Sequence, residues 1–247
     1  MINADSIRFV YFDLDDTILD HSHAELQALR DLASDEKYPF YNHSFETIHS
    51  HYREINPVVW KKYSAGEFTK QQAKVGRFSQ LLNRLGLDGS DAGTTDHGAS
   101  KNRVDEALAD DYLRRYANHW KAIEGAEDAF HRVASDYQVG ILTNGFSEIQ
   151  QAKLRQFPNL ASASEAVIIS EEVGYLKPDR RLFEHAAAVV GVAPENILYV
   201  GDSLHSDVGG GLNAGWKVAW YSDKHHDHDE VFSFTDWSRL LKELGLS

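Results

Sequence analysis

The sequence predicts an α/β domain built on a parallel sheet, interrupted by an inserted helical domain. Short β-branched and aromatic runs alternate with helix-like segments, a pattern that buries a parallel sheet on both faces. The stretch from about residue 21 to 120 breaks it, carrying helical stripes and no clear strand. Finally, every chemically suggestive cluster falls where one of the strand-like runs ends, the edge where ligands gather on such sheets.

Arg8 to Phe12 reads as the first buried strand and runs into a carboxylate cluster. Tyr137 to Leu142 repeats that form and stops at Thr143-Asn144-Gly145. Ser147 and Gln150 then have capping-box spacing, which predicts a helix starting there. Val167 to Ile169 is a short strand. Asp179 can cap a helix whose Leu182, Phe183, Ala186, Ala187 and Val190 share a face before Gly191 stops it. Ile197 to Val200 is a further strand ending at Gly201-Asp202-Ser203, and Lys217 to Trp220 is expected to be the last. The expected division is a core of residues 1–20 and 121–247 and a helical domain of residues 21–120. In the latter, Leu26, Leu29 and Leu32 form one stripe and Phe78, Leu81, Leu82 and Leu85 another. The Gly, Ser, Thr and Asp of residues 88–102 predict a mobile loop.

Composition narrows the function classes. Twenty-five Lys and Arg against 38 Asp and Glu leave a net charge of −13, which argues against a surface that wraps long nucleic acid. A single nucleotide stays possible, because a metal and one or two local cations neutralise one phosphate. The acidic surplus suits a high-salt cytoplasm and ordinary cytosolic proteins alike. Cysteine is absent, so there is no thiolate nucleophile or thiolate metal site. Met1 to Ser6 lack the pattern of a signal peptide, and no apolar run nears the roughly 18 residues that span a bilayer. A cytoplasmic protein without a membrane partner is expected, its oligomeric state left open.

Asp13-Leu14-Asp15-Asp16-Thr17 carries the first chemical signal. Side chains alternate along a strand, so Asp13 and Asp15 can project together as it runs out. Two crowded carboxylates need a cation or a shared proton, and magnesium is the natural resident beside phosphate. Asp13 can then attack phosphorus, while Asp15 protonates the leaving oxygen and later deprotonates water. Alone, the cluster would suit an acidic turn capping a helix. Thr143 and Asn144 offer a hydroxyl and an amide to phosphate oxygens, and Lys177 a fixed cation. Asp202 is placed to bind the metal, with Asp207 supporting it. Four weak signals in fixed order make a strong one.

This ordered set resembles the haloacid-dehalogenase superfamily. Its first motif is met at Asp13, Asp15 and Thr17, its second at Thr143, its third at Lys177 and its fourth at Asp202 and Asp207. The resemblance implies a Rossmann-like sheet with a helical cap of the C1 type, and Mg2+ held by Asp13, Asp15 through its backbone carbonyl, and Asp202, with Thr17 and Asp207 behind them. Members that remove halogen lack the second aspartate of the first motif. Asp15 therefore favours a phosphatase, with a phosphomutase as a lesser alternative. Asn56-Pro57, Trp60, Tyr63 and Gly76-Arg77-Phe78 look like the cap of the pyrimidine 5′-nucleotidase branch. So do Leu142 to Phe146, Ile169 to Gly174 and Gly209 to Gly215. The partner this implies is a small phosphate ester, a nucleoside monophosphate above all. A sugar phosphate or phosphoglycolate is the alternative within the superfamily, and a catalytically idle binding protein the alternative outside it.

Other residues carry plainer expectations. Trp60, Tyr63, Phe68 and Phe78 are expected mostly to fill the core of the helical domain, and Arg77 to sit in a surface salt bridge. His225, His226 and His228 are expected in a solvated loop rather than on a metal, and Gly209-Gly210-Gly211 in a helix packed closely on the sheet.

Overall fold

A computed structural model describes residues 3–87 and 97–246. It divides into two compact units, Met1–His21 with Lys121–Ser247, and Ser22–Trp120. Strand β1 (Phe9–Phe12) is followed by helices α1 (His21–Ala33), α2 (Phe45–Ser64), α3 (Lys70–Arg84) and α4 (His97–Asn118). The first unit then resumes with α5 (Ala126–Ala134), β2 (Gln138–Thr143), α6 (Ser147–Gln156), α7 (Pro158–Ala163) and β3 (Ala166–Ile169). After α8 (Ser170–Val173) and α9 (Arg180–Val190) come β4 (Ile197–Gly201), α10 (Gly209–Asn213), β5 (Lys217–Tyr221), β6 (Val231–Phe234) and α11 (Trp237–Glu243).

Among the described residues six strands form one sheet in the order β3-β2-β1-β4-β5-β6, every pairing parallel. β1 lies at its centre and shows why. Val10 and Phe12 pack with Phe130 of α5, Leu154 of α6 and Leu240 of α11 in one core cluster. Phe9 and Tyr11 pack with Phe183 and Ala186 of α9 and with Trp216 in another. A strand whose alternate side chains both meet helices must be apolar throughout, as Phe9-Val10-Tyr11-Phe12 is. Close packing extends to α10, where a Cβ on Gly210 would lie 2.5 Å from the Phe183 ring.

Several expectations change. β5 is not the last strand, because β6 pairs with it in parallel from Val231 onward. Its sequence, Val231-Phe232-Ser233-Phe234, is short and follows a polar stretch, so it carried little periodic signal. Ser147 and Gln150 make no capping box. Phe146 is the N-cap of α6 and gives no side-chain cap. Instead Ser147 Oγ lies 2.5 Å from Glu172, and Gln150 reaches the strand ends described below. α4 already runs from His97, which replaces the last part of the expected loop, while residues 88–96 lie outside the described residues.

Within the second unit, Tyr52 of α2, Phe78 of α3 and Tyr112 of α4 form an aromatic core, with ring centroids 5.1–6.0 Å apart. Arg77 is not in a surface salt bridge but is 5% exposed. Its guanidinium donates to Tyr52 Oη at 3.2 Å and lies 4.8 Å over the Tyr112 ring. A planar, weakly hydrated cation can be buried against aromatic faces where an ammonium would be costlier. Asn56 Nδ2 donates to Glu25 at 2.9 Å in the same unit. Phe78 is fully buried, whereas Trp60, Tyr63 and Phe68 are only partly so. His225 and His228 are exposed, as a solvated loop requires. No helix among the described residues is long and apolar enough to cross a membrane.

Candidate active site

The side chains singled out in the sequence gather at the C-terminal ends of β1, β2 and β4. Asp13 N–H donates to the Val200 carbonyl at 2.8 Å, so the ladder continues one residue past β1. Then the chain coils. The Leu14 carbonyl accepts from the N–H groups of both Ile18 and Leu19, at 3.0 and 2.8 Å. Asp16 is left-handed at φ 56°, a conformation Asp tolerates better than most side chains. The Asp15 carboxylate goes to α6, ion-paired by Lys153 and accepting from Gln150 Nε2 at 3.0 Å. The close carboxylate group around Asp13 therefore does not include Asp15.

Crowding falls instead on Asp13, Asp202 and Asp207, each of which offers an oxygen within 4.8 Å of the others. Asp207 stands on a π-helical turn, Leu204–Val208, and is fully buried. Its Oδ2 accepts from Ser203 N–H at 2.9 Å, and its Oδ1 from Ser206 Oγ at 3.2 Å. That carboxylate explains Gly201: a Cβ there would lie 2.5 Å from Asp207 Oδ2. Thr17 Oγ1 donates to Asp202 Oδ1 at 3.3 Å.

Lys177 is the counter-charge. Its Nζ lies 2.8 Å from both Asp13 Oδ1 and Asp207 Oδ1, and donates to Tyr199 Oη at 2.6 Å. Tyr199 Oη in turn donates to the Leu142 carbonyl at 2.8 Å. Asn144 pins the lysine's backbone: its Oδ1 accepts from Lys177 N–H at 2.8 Å and its Nδ2 donates to the Lys177 carbonyl at 3.0 Å. The expected offer of the Asn144 side-chain amide to phosphate is thus taken up by Lys177. Thr143 is buried, and its Oγ1 accepts from Gln150 at 2.7 Å.

The electrostatics follow from burial and crowding. Desolvation pushes the Asp13 carboxyl well above the usual range, and Asp207 and Asp202 add to this while Lys177 opposes it. Desolvation, then Asp207 and Asp16, push Asp202 up to about 7. Burial alone would also raise Asp15, but Lys153, His21 and Gln150 together hold it below the usual carboxylate range. For Lys177, burial pulls the ammonium down and is outweighed by Asp13 and Asp207, so it stays charged.

Three carboxylates against one ammonium leave a local negative excess made only of oxygen donors. That donor set fits a hard divalent cation such as Mg2+ and offers nothing to a soft one. Asp13 and Asp202 would hold it, with Asp207 alongside. Among the described residues, Lys177 is the cation paired with the cluster, through Asp13 and Asp207. Lys177→Met is therefore expected to destabilise the metal-free protein by about 3–5 kcal/mol, read by urea unfolding, with Mg2+ restoring part of the loss. An unchanged unfolding midpoint would show that the lysine is not the counter-ion.

Sequence reasoning missed Tyr199, Gln150 and Lys153 as members of this site. A tyrosine in the continuous apolar run Ile197 to Val200 needs a partner for its hydroxyl, which was one signal. The other was that Gln150, Lys153 and Leu154 share one face of α6, putting a glutamine and a lysine on its buried stripe.

A family model described as haloacid dehalogenase-like hydrolase matches residues 7–215. Pyrimidine 5′-nucleotidase YjjG of Escherichia coli strain K12 is 27% identical over 237 residues, covering 96% of this chain and 95% of its own. Pyrimidine 5′-nucleotidase PynA of Streptococcus pneumoniae is 30% identical over 240 residues, covering 93% and 92%. Among solved structures, the HAD-hydrolase YfnB from Bacillus subtilis, bound to magnesium, aligns with a TM-score of 0.74 at 28% identity. That alignment covers 96% of this chain and 98% of the other.

Proposed function

The chain belongs to the haloacid dehalogenase-like hydrolases, and on that premise we propose that it is a magnesium-dependent pyrimidine 5′-nucleotidase. The observation that carries the chemistry is Asp13, buried at the end of the central strand, 2.8 Å from Lys177 and grouped with Asp202 and Asp207. The substrate class is supported by two relatives named pyrimidine 5′-nucleotidases that match over almost their whole lengths.

In the first step an Asp13 oxygen bonds to phosphorus as the bond to the leaving oxygen breaks, and Asp15, which takes up a proton from solvent beside the bound phosphate's charge, gives it to that oxygen. In the second, a water oxygen bonds to phosphorus, Asp15 takes the proton released, and the bond to Asp13 breaks. Orthophosphate leaves and Asp13 is regenerated. Thr143, the Asn144 backbone and Lys177 stabilise charge on the phosphoryl oxygens. Magnesium, held by Asp13, the Asp15 backbone carbonyl and Asp202, would neutralise phosphoryl charge that the carboxylates otherwise repel. Residues 21–120 are the cap that selects the leaving group.

The test is phosphate release from pyrimidine and purine monophosphates, their deoxy forms and several sugar phosphates, with and without Mg2+. Metal-dependent release, fastest on pyrimidine nucleotides, is the expected result. A sugar phosphate ranking first would discard the substrate assignment and keep the mechanism.

A further inference from the structure

We infer that Gln150 and Lys153 are positioning residues for the proton transfer assigned to Asp15, an inference that rests on that assignment. Both stand on α6, three residues apart, and both are almost wholly buried, at 1% and 2% exposure. Lys153 Nζ pairs with Asp15 Oδ1, and Gln150 Nε2 donates to Asp15 Oδ2 at 3.0 Å. A carboxylate gripped at both oxygens from one rigid helix cannot turn about its Cβ–Cγ bond. Its plane, and the direction in which it presents a proton, are fixed.

The same Gln150 amide donates to Thr143 Oγ1 at 2.7 Å and to the Asn144 carbonyl at 3.1 Å. It thereby ties the loop after β1 to the end of β2, so the proton donor and the Thr143 hydroxyl share one anchor. Gly145 makes room for this: a Cβ there would lie 2.9 Å from Gln150 Cδ. Burying a lysine is expensive, and apolar side chains would fill the space between α6 and the sheet more cheaply. Contacts that reach both oxygens of one carboxylate account for the choice. When the proton passes from Asp15 to the leaving oxygen, as the Asp13–phosphorus bond forms and the leaving bond breaks, the carboxylate left behind faces the Lys153 ammonium.

A structural ion pair and a positioning one separate by leaving group. An aliphatic alkoxide needs the proton to depart; 4-nitrophenolate does not. The measurement is kcat/KM, which covers the steps up to departure, for 4-nitrophenyl phosphate and for the aliphatic ester that wild type turns over fastest. Lys153→Met is expected to lose about 100-fold more on the aliphatic ester than on the aryl one. Gln150→Met should lose about 10-fold more, in the same direction. Asp15→Asn sets the scale with the largest such difference. If Asp15→Asn is ester-dependent and the α6 variants lose equally on both esters, or lose nothing, the positioning role is overturned. Equal losses in Asp15→Asn itself would overturn the proton-transfer assignment beneath it. Thermal midpoints accompany the rates, and should Lys153→Met not fold, Gln150→Met decides.

Discussion

Asp13→Asn is expected to lower phosphate release by at least about 10⁴-fold, with the thermal midpoint of the metal-free protein at or above that of wild type. The two effects have one cause. Asn keeps the shape of Asp but replaces the attacking oxygen with an amide that is a poor nucleophile. It also removes one of three mutually repelling carboxylates from a site where burial already disfavours charge. Lys177 keeps Asp207 and Tyr199 as partners, so no unpaired ammonium is created. The opposite change, Lys177→Met, should lose stability as well as activity, which makes the pair of variants informative together. Retention of more than about 1% of the wild-type rate by Asp13→Asn would refute the nucleophile. A sharply lower thermal midpoint would mean that the rate loss reports on folding.

The metal-free protein should lose stability as pH rises from about 4 to about 7, by up to about 4 kcal/mol from Asp202 alone. The ordinary carboxyl value is 3.8, and in the folded chain Asp202 is pushed up to about 7. Between those values the folded state holds a proton that the unfolded chain has released, so raising the pH favours unfolding. The stabilisation is complete below the unfolded value and gone above the folded one. Asp13 shifts in the same direction and adds to the trend. Urea unfolding from pH 4 to pH 8 in a chelator reads this directly, and Asp202→Asn should flatten the slope. Magnesium should recover most above pH 7, where the carboxylates are ionised and ready to bind it. A stability that climbs with pH in the chelator, or an Asp202→Asn slope equal to wild type, would contradict the crowded-carboxylate account.

Much of the core was legible because its signals are local. Apolar runs such as Phe9 to Phe12 and Ile197 to Gly201 mark buried strands whatever they pair with, and Asp179 and Gly191 bound α9 as their types dictate. β6 escaped because a short strand beside a polar stretch has too few residues to show a period. Arg77 was misread for a different reason. A guanidinium is buried or exposed according to what surrounds it, and Tyr52 and Tyr112 come from other helices.

The sequence by itself determined which residue types stand at each strand end, and in what order: Asp13 and Asp15, Thr143, Lys177, then Asp202 and Asp207. Only the tertiary structure decided who faces whom. It set Asp13 beside Lys177, Asp202 and Asp207, and Asp15 against Lys153 and Gln150. The reason is that strand periodicity fixes a side chain's direction only while the backbone stays extended. Beyond β1 the sheet pairing ends, Asp15 bridges to Leu19 and Asp16 is left-handed, and long-range packing against α6 takes over.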